Sequence, residues 1–388
     1  MKIQLKYGTN PHQIPASITL PDPSPLQVLN GAPGYINLLD ALGAWQLVRE
    51  LREATGVAAA ASFKHTSPAG AAIARPFTEA FAASQFLTDE ELSPVANAYV
   101  HARGSDRLSS FGDAAAVSDT VDVSLARILA REVSDLIIAP GYEPEALALL
   151  KAKKGGGYLI LQLDPAYQPP ELEGRDLFGF RLEQRRNDAR ITASLFENVV
   201  SSRKSLPQEA VETLIVATIA LKYTQSNSVC VAYDGQVIGM GAGQQSRVHC
   251  TRLACDKADK WLLQQHPKTL ALKFKSGLGR PEKANVVDQY LLWEQLSDAE
   301  VTQMLSGLQE RPEPISREEK AAWIARFEGI CLSSDAFIPF RDNIDRASRS
   351  HVQYVAQPGH SLRDDDVTAA AEQYGMTMIH TGLRLFLH

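Results

Sequence analysis

A lysine–histidine pair is the part of the sequence best suited to acid–base chemistry. Lys64 and His65 directly follow the apolar run Val57–Phe63, which has the length of a strand covered on both faces. A histidine can accept a proton near neutral pH, and a neighbouring ammonium can stabilise negative charge on a reacting group. On a regular strand the two side chains would point to opposite faces, so they share a site only if the strand ends there. A solvated loop dipeptide explains the spacing equally well.

A second polar cluster surrounds a predicted hairpin. Asp234-Gly235 separates the alternating runs Val229–Tyr233 and Gln236–Met240, which is a strong signal for two strands joined by a tight turn. The glycine-rich segment Gly239–Gly243 and a helix start follow, so backbone N–H groups could approach a ligand closely. Three polar residues flank this segment: Asn227, Ser228 and Arg247. They predict an anion or amide site, although a tight hairpin beside a solvated arginine is the simpler interpretation of the pattern alone.

The elements that would position these groups alternate between strand and helix patterns, which predicts an α/β fold. A helix is expected after the turn 30–34. The run AGAAIA predicts another helix, with Ser67 as its cap and Pro68 at its first position. A strand, a polar loop and a helix would together place the lysine–histidine pair at the carboxyl edge of a sheet.

The chain is predicted to form two lobes, residues 1–195 and 196–388, which meet in a polar, proline-containing stretch at 165–195. Residues 267–330 are mostly helical in pattern, broken at GLGRPEK and QERPEPISREEK, and are interpreted as an insertion in the second lobe. Both lobes follow a loose strand–loop–helix order. An ancient duplication is therefore an open hypothesis, although no repeat of fixed period occurs.

Composition narrows the class of protein. The 388 residues suffice for two cores, and 45% apolar and 22% charged residues are ordinary for a globular protein. A net charge of −6 argues against nucleic acid or an anionic membrane as partner, while leaving room for a local basic pocket. Four cysteines favour a reducing compartment, and the first residues lack a secretory pattern. We expect a cytoplasmic protein.

Several catalytic classes do not fit the motifs. A zinc nucleobase deaminase requires His-x-Glu and Pro-Cys-x-x-Cys, and neither is present. The glycines 239–243 close a hairpin instead of following the first strand of a βαβ unit, so they are a weak dinucleotide signal. The segment SSDAFIPFRDNIDRA combines aromatic and carboxylate side chains that could bind a flat heterocycle, or simply precede a capped helix. Acid–base chemistry on a small anionic heterocycle, without a catalytic metal, is the prediction.

Blocks along the whole chain together resemble one family. They are YGTNPHQ, LNGAPGYINLLDALGAWQLV, ASFKHTSPAGAA, SSFGD, REVSDLIIAPGYEPEAL, IALKYTQSNSVC, GQVIGMGAGQQSRVHCTRLA, SSDAFIPFRDNIDRA and LRLFLH. The family is the AICAR transformylase (phosphoribosylaminoimidazolecarboxamide formyltransferase) part of the bifunctional purine-biosynthesis protein. The IMP cyclohydrolase domain that usually precedes this part is not in the sequence, so we expect a separate transformylase, with another protein closing the ring.

The resemblance implies two cytidine-deaminase-like lobes without zinc, a helical insertion, and a homodimer with active sites at its interface. It also implies formyl transfer from 10-formyltetrahydrofolate to the 5-amino group of AICAR, which gives FAICAR and tetrahydrofolate in IMP biosynthesis. Because the lone pair of that amine is delocalised, the site must remove a proton during attack and stabilise an oxyanion. A catalytically idle nucleotide-binding homologue and a formyltransferase with a non-folate donor are the alternatives.

The resemblance also assigns roles to residues. His65 looks like the proton acceptor, and Lys64 looks like the group that stabilises the oxyanion or protonates the leaving folate nitrogen. Asn227 and Arg247 resemble the residues that hold the carboxamide side of the nucleotide. The other implied substrate residues are Lys6, Tyr7, Asn37, Gly112, Asp135, Lys154, Phe337, Asp342, Arg384, Phe386 and His388.

The folate cosubstrate would contact Val248, Ser361 and Leu362. A structural potassium ion is implied at Leu221, Thr224, Ser226, Ser228, Asp335 and Leu385, whose hydroxyl, carboxylate and carbonyl oxygens suit a hard cation. Two positions depart from the family. Lys6 stands where arginine is frequent, which replaces a bidentate phosphate fork by a point charge. The loop 359–361 also differs, and it affects the folate contacts.

Overall fold

A computed structural model describes residues 2–87 and 91–388 and shows an α/β protein. The strands of its first half are β1 (Lys2–Leu5), β2 (Ala16–Thr19), β3 (Leu26–Asn30), β4 (Ala59–Lys64), β5 (Ser67–Ile73), β6 (Asp113–Val117), β7 (Ser134–Ala139) and β8 (Leu159–Leu163). The helices of this half are α1 (Tyr35–Thr55), α2 (Glu79–Ser84), α3 (Pro94–Gly104), α4 (Val123–Arg131) and α5 (Pro144–Ala152).

The second half begins with an isolated pair of strands. Its strands are β9 (Leu172–Leu177), β10 (Phe180–Arg185), β11 (Val229–Tyr233), β12 (Gln236–Gly241), β13 (Cys331–Ser334), β14 (Tyr354–Gln357) and β15 (Thr377–His380). Its helices are α6 (Gln208–Lys222), α7 (Arg247–Gln264), α8 (Pro267–Leu270), α9 (Arg280–Leu291), α10 (Asp298–Ser306), α11 (Arg317–Ile324), α12 (Asp342–Arg349) and α13 (Asp364–Gln373). Residues 267–330 therefore contain α8–α11 between α7 and β13.

One sheet of 11 strands runs through both halves, in the order β15-β14-β13-β11-β12-β5-β4-β6-β7-β8-β3. Each half contributes a hairpin (β4–β5 or β11–β12), then a strand antiparallel to the first hairpin strand, then two more parallel strands. The two hairpins meet where β5 pairs antiparallel with β12 at Ala72 and Gln236. The sheet is thus continuous across the predicted boundary at 195, and the division into lobes stays a prediction.

Strand directions bring the ends of both halves to one edge of the sheet. β4 ends at this edge, and β6, β7 and β8 begin there because β6 is antiparallel to β4. In the second half β11 begins at the same edge, while β13, β14 and β15 end there. Segments that are far apart in sequence, around residues 64, 112, 135, 154, 227, 335, 358 and 381, therefore lie along one edge, which we call the site edge.

Helices cover both faces of the sheet. The apolar residues of α1 and α6 form one core, and those of α3, α4, α7, α12 and α13 form the other. A strand between two cores is buried on both faces, which explains why Ala59, Ala60, Ala61 and Phe63 are all apolar. Among residues 2–87 and 91–388, no helix combines the length and apolar character that crossing a membrane requires.

The helix predicted at AGAAIA is wrong, because this run forms β5. His65 and Thr66 have φ of 53° and 61°, so the chain reverses and pairs with β4 from Lys64↔Ser67 to Ala59↔Ile73. Alanine favours helix locally, but here its small size serves tertiary packing. A Cβ at Gly70 would lie 2.1 Å from the carbonyl oxygen of Ala102, so α3 could not otherwise approach the strand. The strand–loop–helix unit is therefore a β-hairpin.

The polar stretch at 165–195 contains an element that the sequence patterns did not predict. Strands β9 and β10 form a separate hairpin, and all of their residues are exposed. Leu177 pairs with Phe180, and Leu182 lies on the same face, so that face is apolar towards the turn. The other face carries the ion pair between Asp176 and Arg181.

Candidate active site

The lysine–histidine pair lies where β4 ends, as sharing a site requires. Lys64 is the last residue of β4, and the exposed His65 is the first residue of the turn to β5. The backbone N–H of Thr66 donates to Asp40 Oδ1 at 2.6 Å, and the Thr66 hydroxyl donates to the His65 carbonyl at 2.7 Å. The imidazole is therefore carried on a turn that side chains fix in place.

Three predicted site residues from three segments converge beside Lys64. Its ammonium donates to the carbonyls of Phe111 and Gly112, the latter at 3.4 Å. Gly112 has φ of +70°, and a Cβ there would lie 3.2 Å from Lys64 Nζ and 3.3 Å from Asp135 Oδ2. Lys154 Nζ donates to Asp135 Oδ1 at 2.6 Å. Two ammonium groups and one carboxylate thus leave a net positive charge next to the turn that carries His65, which suits an anionic substrate.

The second cluster is organised around the fully buried carboxylate of Asp335. The Arg247 guanidinium donates to this carboxylate, to the Ser228 carbonyl at 2.9 Å and to Asn227 Oδ1 at 2.8 Å. The hydroxyls of Ser226 and Ser228 donate to Asp335 Oδ2 at 2.5 and 3.0 Å. Charge-assisted bonds of this kind are strong when buried. They orient Asn227 and Arg247 relative to each other, whereas a solvated arginine would be free.

A hydrogen bond joins the two segments that carry Lys64 and Asn227. The backbone N–H of Gln225 donates to the hydroxyl of Ser67 at 3.3 Å, so the 224–228 loop lies against the turn that carries His65. Gln225 in turn accepts a bond from Gly243 N at 2.8 Å, just before α7 begins at Arg247. The site edge therefore brings both predicted clusters together in one chain.

The last residues of the chain attach to the same edge without forming a strand. Leu385 N donates to the Asp335 carbonyl at 2.8 Å, and Ser226 N donates to the Leu387 carbonyl at 2.9 Å. The Arg384 guanidinium lies 5.0 Å from the Phe386 ring, which is 5.5 Å from the His388 ring. These three predicted residues are exposed beside the Asp335 cluster.

Other predicted residues lie near the site edge without touching either cluster. Asn37 caps the start of α1 by accepting from Gly34 N at 3.0 Å, one helical turn before Asp40. Asp342 begins α12 and accepts from Asn343 Nδ2 at 2.9 Å. Three residues complete this group: the exposed Phe337 and the half-buried Val248 and Ser361.

Three predicted residues form no hydrogen bond, ion pair or ring contact with the clusters. Lys6 and Tyr7 follow β1, with the Lys6 ammonium 6.0 Å from the Tyr7 ring. Leu362 is fully exposed in the loop before α13. The structure of one chain therefore leaves the implied phosphate and folate contacts incomplete.

The sequence reasoning missed Asp40. This residue is 8% exposed and lies on the face of α1 that packs on the sheet, beside Ala41 and Ala44. Burial raises the pKa of its carboxyl above the ordinary value, and the hydrogen bond from Thr66 and the charges of His65 and Lys64 offset only part of this rise. The signal in the sequence is an aspartate at a position where the helical spacing of α1 predicts a buried apolar residue.

A cysteine near the site is a hydrogen-bond donor. The Cys250 thiol donates to the carbonyl of Asn227 at 3.0 Å. Burial raises the pKa of this thiol to about 11, so it stays protonated at neutral pH. A protonated thiol is a poor nucleophile, and Cys250 instead supports the backbone that presents Asn227.

A cavity of about 800 Å³ lies elsewhere, between α1 and the segment before α6. Trp45, Tyr167 and Lys222 line it, and the predicted site residues do not. Lys222 donates there to Glu50 at 2.8 Å and to the Ala189 carbonyl at 2.9 Å. This cavity is therefore separate from the candidate site.

Comparison with known proteins agrees with the residue pattern. The profile of the AICARFT/IMPCHase bienzyme family matches residues 1–257. The bifunctional purine biosynthesis protein PurH of Roseobacter denitrificans is 30% identical over 391 aligned residues, covering 99% of this chain and 59% of that protein. The PurH proteins of Magnetococcus marinus and Cereibacter sphaeroides are also 30% identical, covering 100% and 99% of this chain and 60% and 59% of theirs.

The chain thus spans about three fifths of the length of the curated relatives it matches. The family match covers the turn at residues 64 and 65, the 224–228 loop and the start of α7. From its sequence and from the site that these segments build, the chain belongs to the AICARFT/IMPCHase bienzyme family.

Proposed function

We propose that this chain transfers the formyl group of 10-formyltetrahydrofolate to the 5-amino group of AICAR, which yields FAICAR and tetrahydrofolate. The observation that carries the proposal is the meeting of two groups at one sheet edge. Lys64 and His65 lie on a turn that is bonded to the loop carrying Asn227, and Asn227 is oriented by Arg247. Acid–base groups and amide-binding groups from both halves thereby face the same edge.

The chemistry follows from the types of residue. The amine attacks the formyl carbon, and the exposed His65 imidazole takes the proton that the nitrogen must lose. The oxygen of the formyl group becomes an oxyanion, and the Lys64 ammonium stabilises it or protonates the leaving folate nitrogen. Lys64 is suited to this because the carbonyls of Phe111 and Gly112 fix its head group.

Substrate recognition uses the remaining groups. Asn227 and Arg247 would hold the carboxamide, and Gly112 and Asp135 would form the wall opposite. The phosphate would lie among the cations near Lys154. We assign the folate contacts to three residues: Val248, Ser361 and Leu362.

We further propose that the active unit is a homodimer. Tyr7, Lys6 and Leu362 do not reach the clusters within one chain, so a second copy would supply the missing contacts. Phe111 and Phe337 are exposed at the site edge and would be available for contact with that second copy.

The potassium site stays a proposal. Six residues would hold the ion: Leu221, Thr224, Ser226, Ser228, Asp335 and Leu385. Their donor atoms are all oxygens, which fits a hard cation. The hydroxyls of Ser226 and Ser228 already converge on one carboxylate oxygen of Asp335, so three of the six residues are neighbours, and an ion there would share the Asp335 charge with Arg247. The role of such an ion would be structural, because it would hold the 224–228 loop against the end of β13.

The likeness of the two halves supports the proposed duplication of a cytidine-deaminase-like unit. Each half repeats a helix, a hairpin and three further strands with the same pairing. A cytoplasmic location stays a prediction from composition. Of the alternatives, an idle homologue is disfavoured because the residues that would act on the substrate are intact, whereas a non-folate donor needs an assay.

The test is steady-state formyl transfer with AICAR and 10-formyltetrahydrofolate. His65→Ala should lower kcat about 100-fold or more while AICAR still binds, since general acid–base catalysis contributes about 10²- to 10⁴-fold. His351→Ala is the matched control, because its φ of 56° resembles the 53° of His65 and it lies at the opposite edge of the sheet. Wild-type turnover in His65→Ala would remove His65 from its role. Absence of FAICAR formation by the wild-type protein would refute the function.

A further inference from the structure

The turn that carries His65 is strained and externally held. His65 and Thr66 both have positive φ, a region that L residues with side chains seldom adopt, least of all a β-branched one. Such turns usually use Asn-Gly or Asp-Gly, and non-glycine residues persist there only when surrounding structure fixes them. Something outside the turn must therefore hold it.

Asp40 supplies that support from α1. Its carboxylate accepts the Thr66 backbone N–H at 2.6 Å, from a position that is almost completely buried. A buried carboxylate is costly unless its oxygens are satisfied, so this residue is a poor choice for packing alone. A carboxylate at this buried position is explained if its hydrogen bond to Thr66 is needed to hold the turn.

The second half of the chain contains an equivalent bond. There the turn Asp234-Gly235 joins β11 to β12, and Gly235 N donates to the hydroxyl of Thr213 at 3.1 Å. Thr213 is the sixth residue of α6, as Asp40 is the sixth residue of α1. Both hairpin turns are thus tied to the same position of the preceding helix.

The two anchors differ in chemistry and in location. The turn Asp234-Gly235 lies at the edge opposite the site, and its two residues tolerate positive φ without strain. A hydroxyl group is therefore a sufficient anchor for it. The turn of His65 and Thr66 lies at the site edge and has a carboxylate, the stronger acceptor. The stronger anchor therefore stands where a catalytic side chain must be held.

We propose that Asp40 is a positioning residue for formyl transfer, which anchors the His65–Thr66 turn through the Thr66 N–H and so directs the imidazole towards the substrate amine. It touches no substrate itself. This proposal rests on the proposed function, because it assumes that His65 is the proton acceptor.

The test compares four variants of the full chain with the wild type. Asp40→Ala removes the acceptor, Asp40→Leu removes it while filling the space, and Asp40→Asn keeps an acceptor oxygen for Thr66. Thr213→Val, which removes the equivalent anchor at the remote turn, is the matched control. The measurements are kcat and KM for AICAR, the equilibrium affinity for AICAR, thermal unfolding, and amide hydrogen exchange at residue 66.

We expect kcat of Asp40→Ala and Asp40→Leu to fall at least 20-fold, with AICAR affinity within 3-fold of wild type. Asp40→Asn should restore kcat to within 3-fold, and Thr213→Val should stay within 2-fold although its unfolding temperature falls. Thr66 amide exchange should accelerate at least tenfold in Asp40→Ala and Asp40→Leu only. If Asp40→Ala does not fold, Asp40→Leu provides the same comparison.

Two results would overturn the proposal. One is near wild-type kcat in Asp40→Leu despite fast exchange at Thr66, which would show that catalysis does not need the anchor. The other is an Asp40→Asn enzyme as slow as Asp40→Leu, which would assign the effect to the charge and not to the hydrogen bond. If the wild type forms no FAICAR, the proposed function fails, and the exchange data alone still decide whether Asp40 anchors the turn.

Discussion

Replacing Gly112 by alanine tests whether the contact between Gly112, Lys64 and Asp135 matters for function. The backbone term comes from the φ of +70°, where an L side chain costs about 1–2 kcal/mol. A smaller entropy of the unfolded chain returns about 0.4–1 kcal/mol. The net loss of stability should therefore be near 1 kcal/mol, too small to unfold the protein.

The functional term comes from crowding by the new methyl group. The added Cβ would lie 3.2 Å from Lys64 Nζ and 3.3 Å from Asp135 Oδ2, closer than ordinary contacts. Both neighbours are ends of side chains, so the Lys64 ammonium and the Asp135 carboxylate must shift away from the methyl group, against the bonds that hold Lys64. Removing one donor that stabilises an oxyanion costs about 10²- to 10³-fold in kcat. A partial displacement of Lys64 should therefore cost about 10- to 100-fold, which is roughly 1.4–2.7 kcal/mol of activation free energy.

Gly56→Ala provides the control. Gly56 also has φ of +70° but has nothing within 4 Å of its hypothetical Cβ, and it ends α1 at the edge opposite the site. Urea unfolding and steady-state formyl transfer should show equal losses of stability in the two variants, and a loss of turnover only in Gly112→Ala. Wild-type turnover in Gly112→Ala, or an equal loss in Gly56→Ala, would refute the reasoning.

Two further predictions concern buried charges. Burial alone would raise the pKa of Glu132, but the guanidiniums of Arg107, Arg103 and Arg280 lower this pKa from 4.5 to about 2. The carboxylate thus contributes about 3 kcal/mol of stability that is present above pH 4.5 and lost as the pH falls towards 2. Glu132→Gln should destabilise the protein by about 3–5 kcal/mol at pH 7 and flatten the pH dependence of its unfolding free energy, measured in urea. If the unfolding free energy of the variant still falls between pH 5 and 3 as steeply as that of the wild type, the prediction is contradicted. Asp335→Asn should likewise cost about 3–5 kcal/mol of stability in thermal unfolding, because Arg247 loses its buried partner. Its control is Asp135→Asn, which breaks a half-exposed ion pair and should cost below about 1 kcal/mol. Similar losses in both variants would exclude a special role for the Asp335 cluster.

Local patterns were sufficient for the elements whose geometry depends on neighbours in sequence. The hairpin β11–β12 was predicted because Asp-Gly tolerates positive φ and both flanking runs alternate, and the structure confirms it. The helices expected after the turn 30–34 and after the glycines 239–243 are also confirmed, since α1 begins at Tyr35 and α7 begins at Arg247. The candidate residues were found by motif blocks, which are properties of the chain alone.

Tertiary structure decided everything that depends on which segments become neighbours. The alanine-rich run after Lys64 became β5 because it pairs with β4 and allows α3 to approach, and neither partner is adjacent in sequence. The exposed hairpin β9–β10 and the buried network around Glu132 left no periodic signal either. At β5, packing outweighed the local helix propensity of alanine.

The role of Asp40 shows the same division most clearly. Its sequence position predicts only an interruption of an apolar helix face, since helical spacing says nothing about which turn will lie opposite. The hydrogen bond to Thr66 exists because the sheet order brings the end of β4 beneath the start of α1. Sequence alone thus determined the family, the candidate residues and the hairpin with a local turn signal. The fold determined which of those residues share an edge and which buried side chains hold them there, because such contacts join segments that are far apart along the chain.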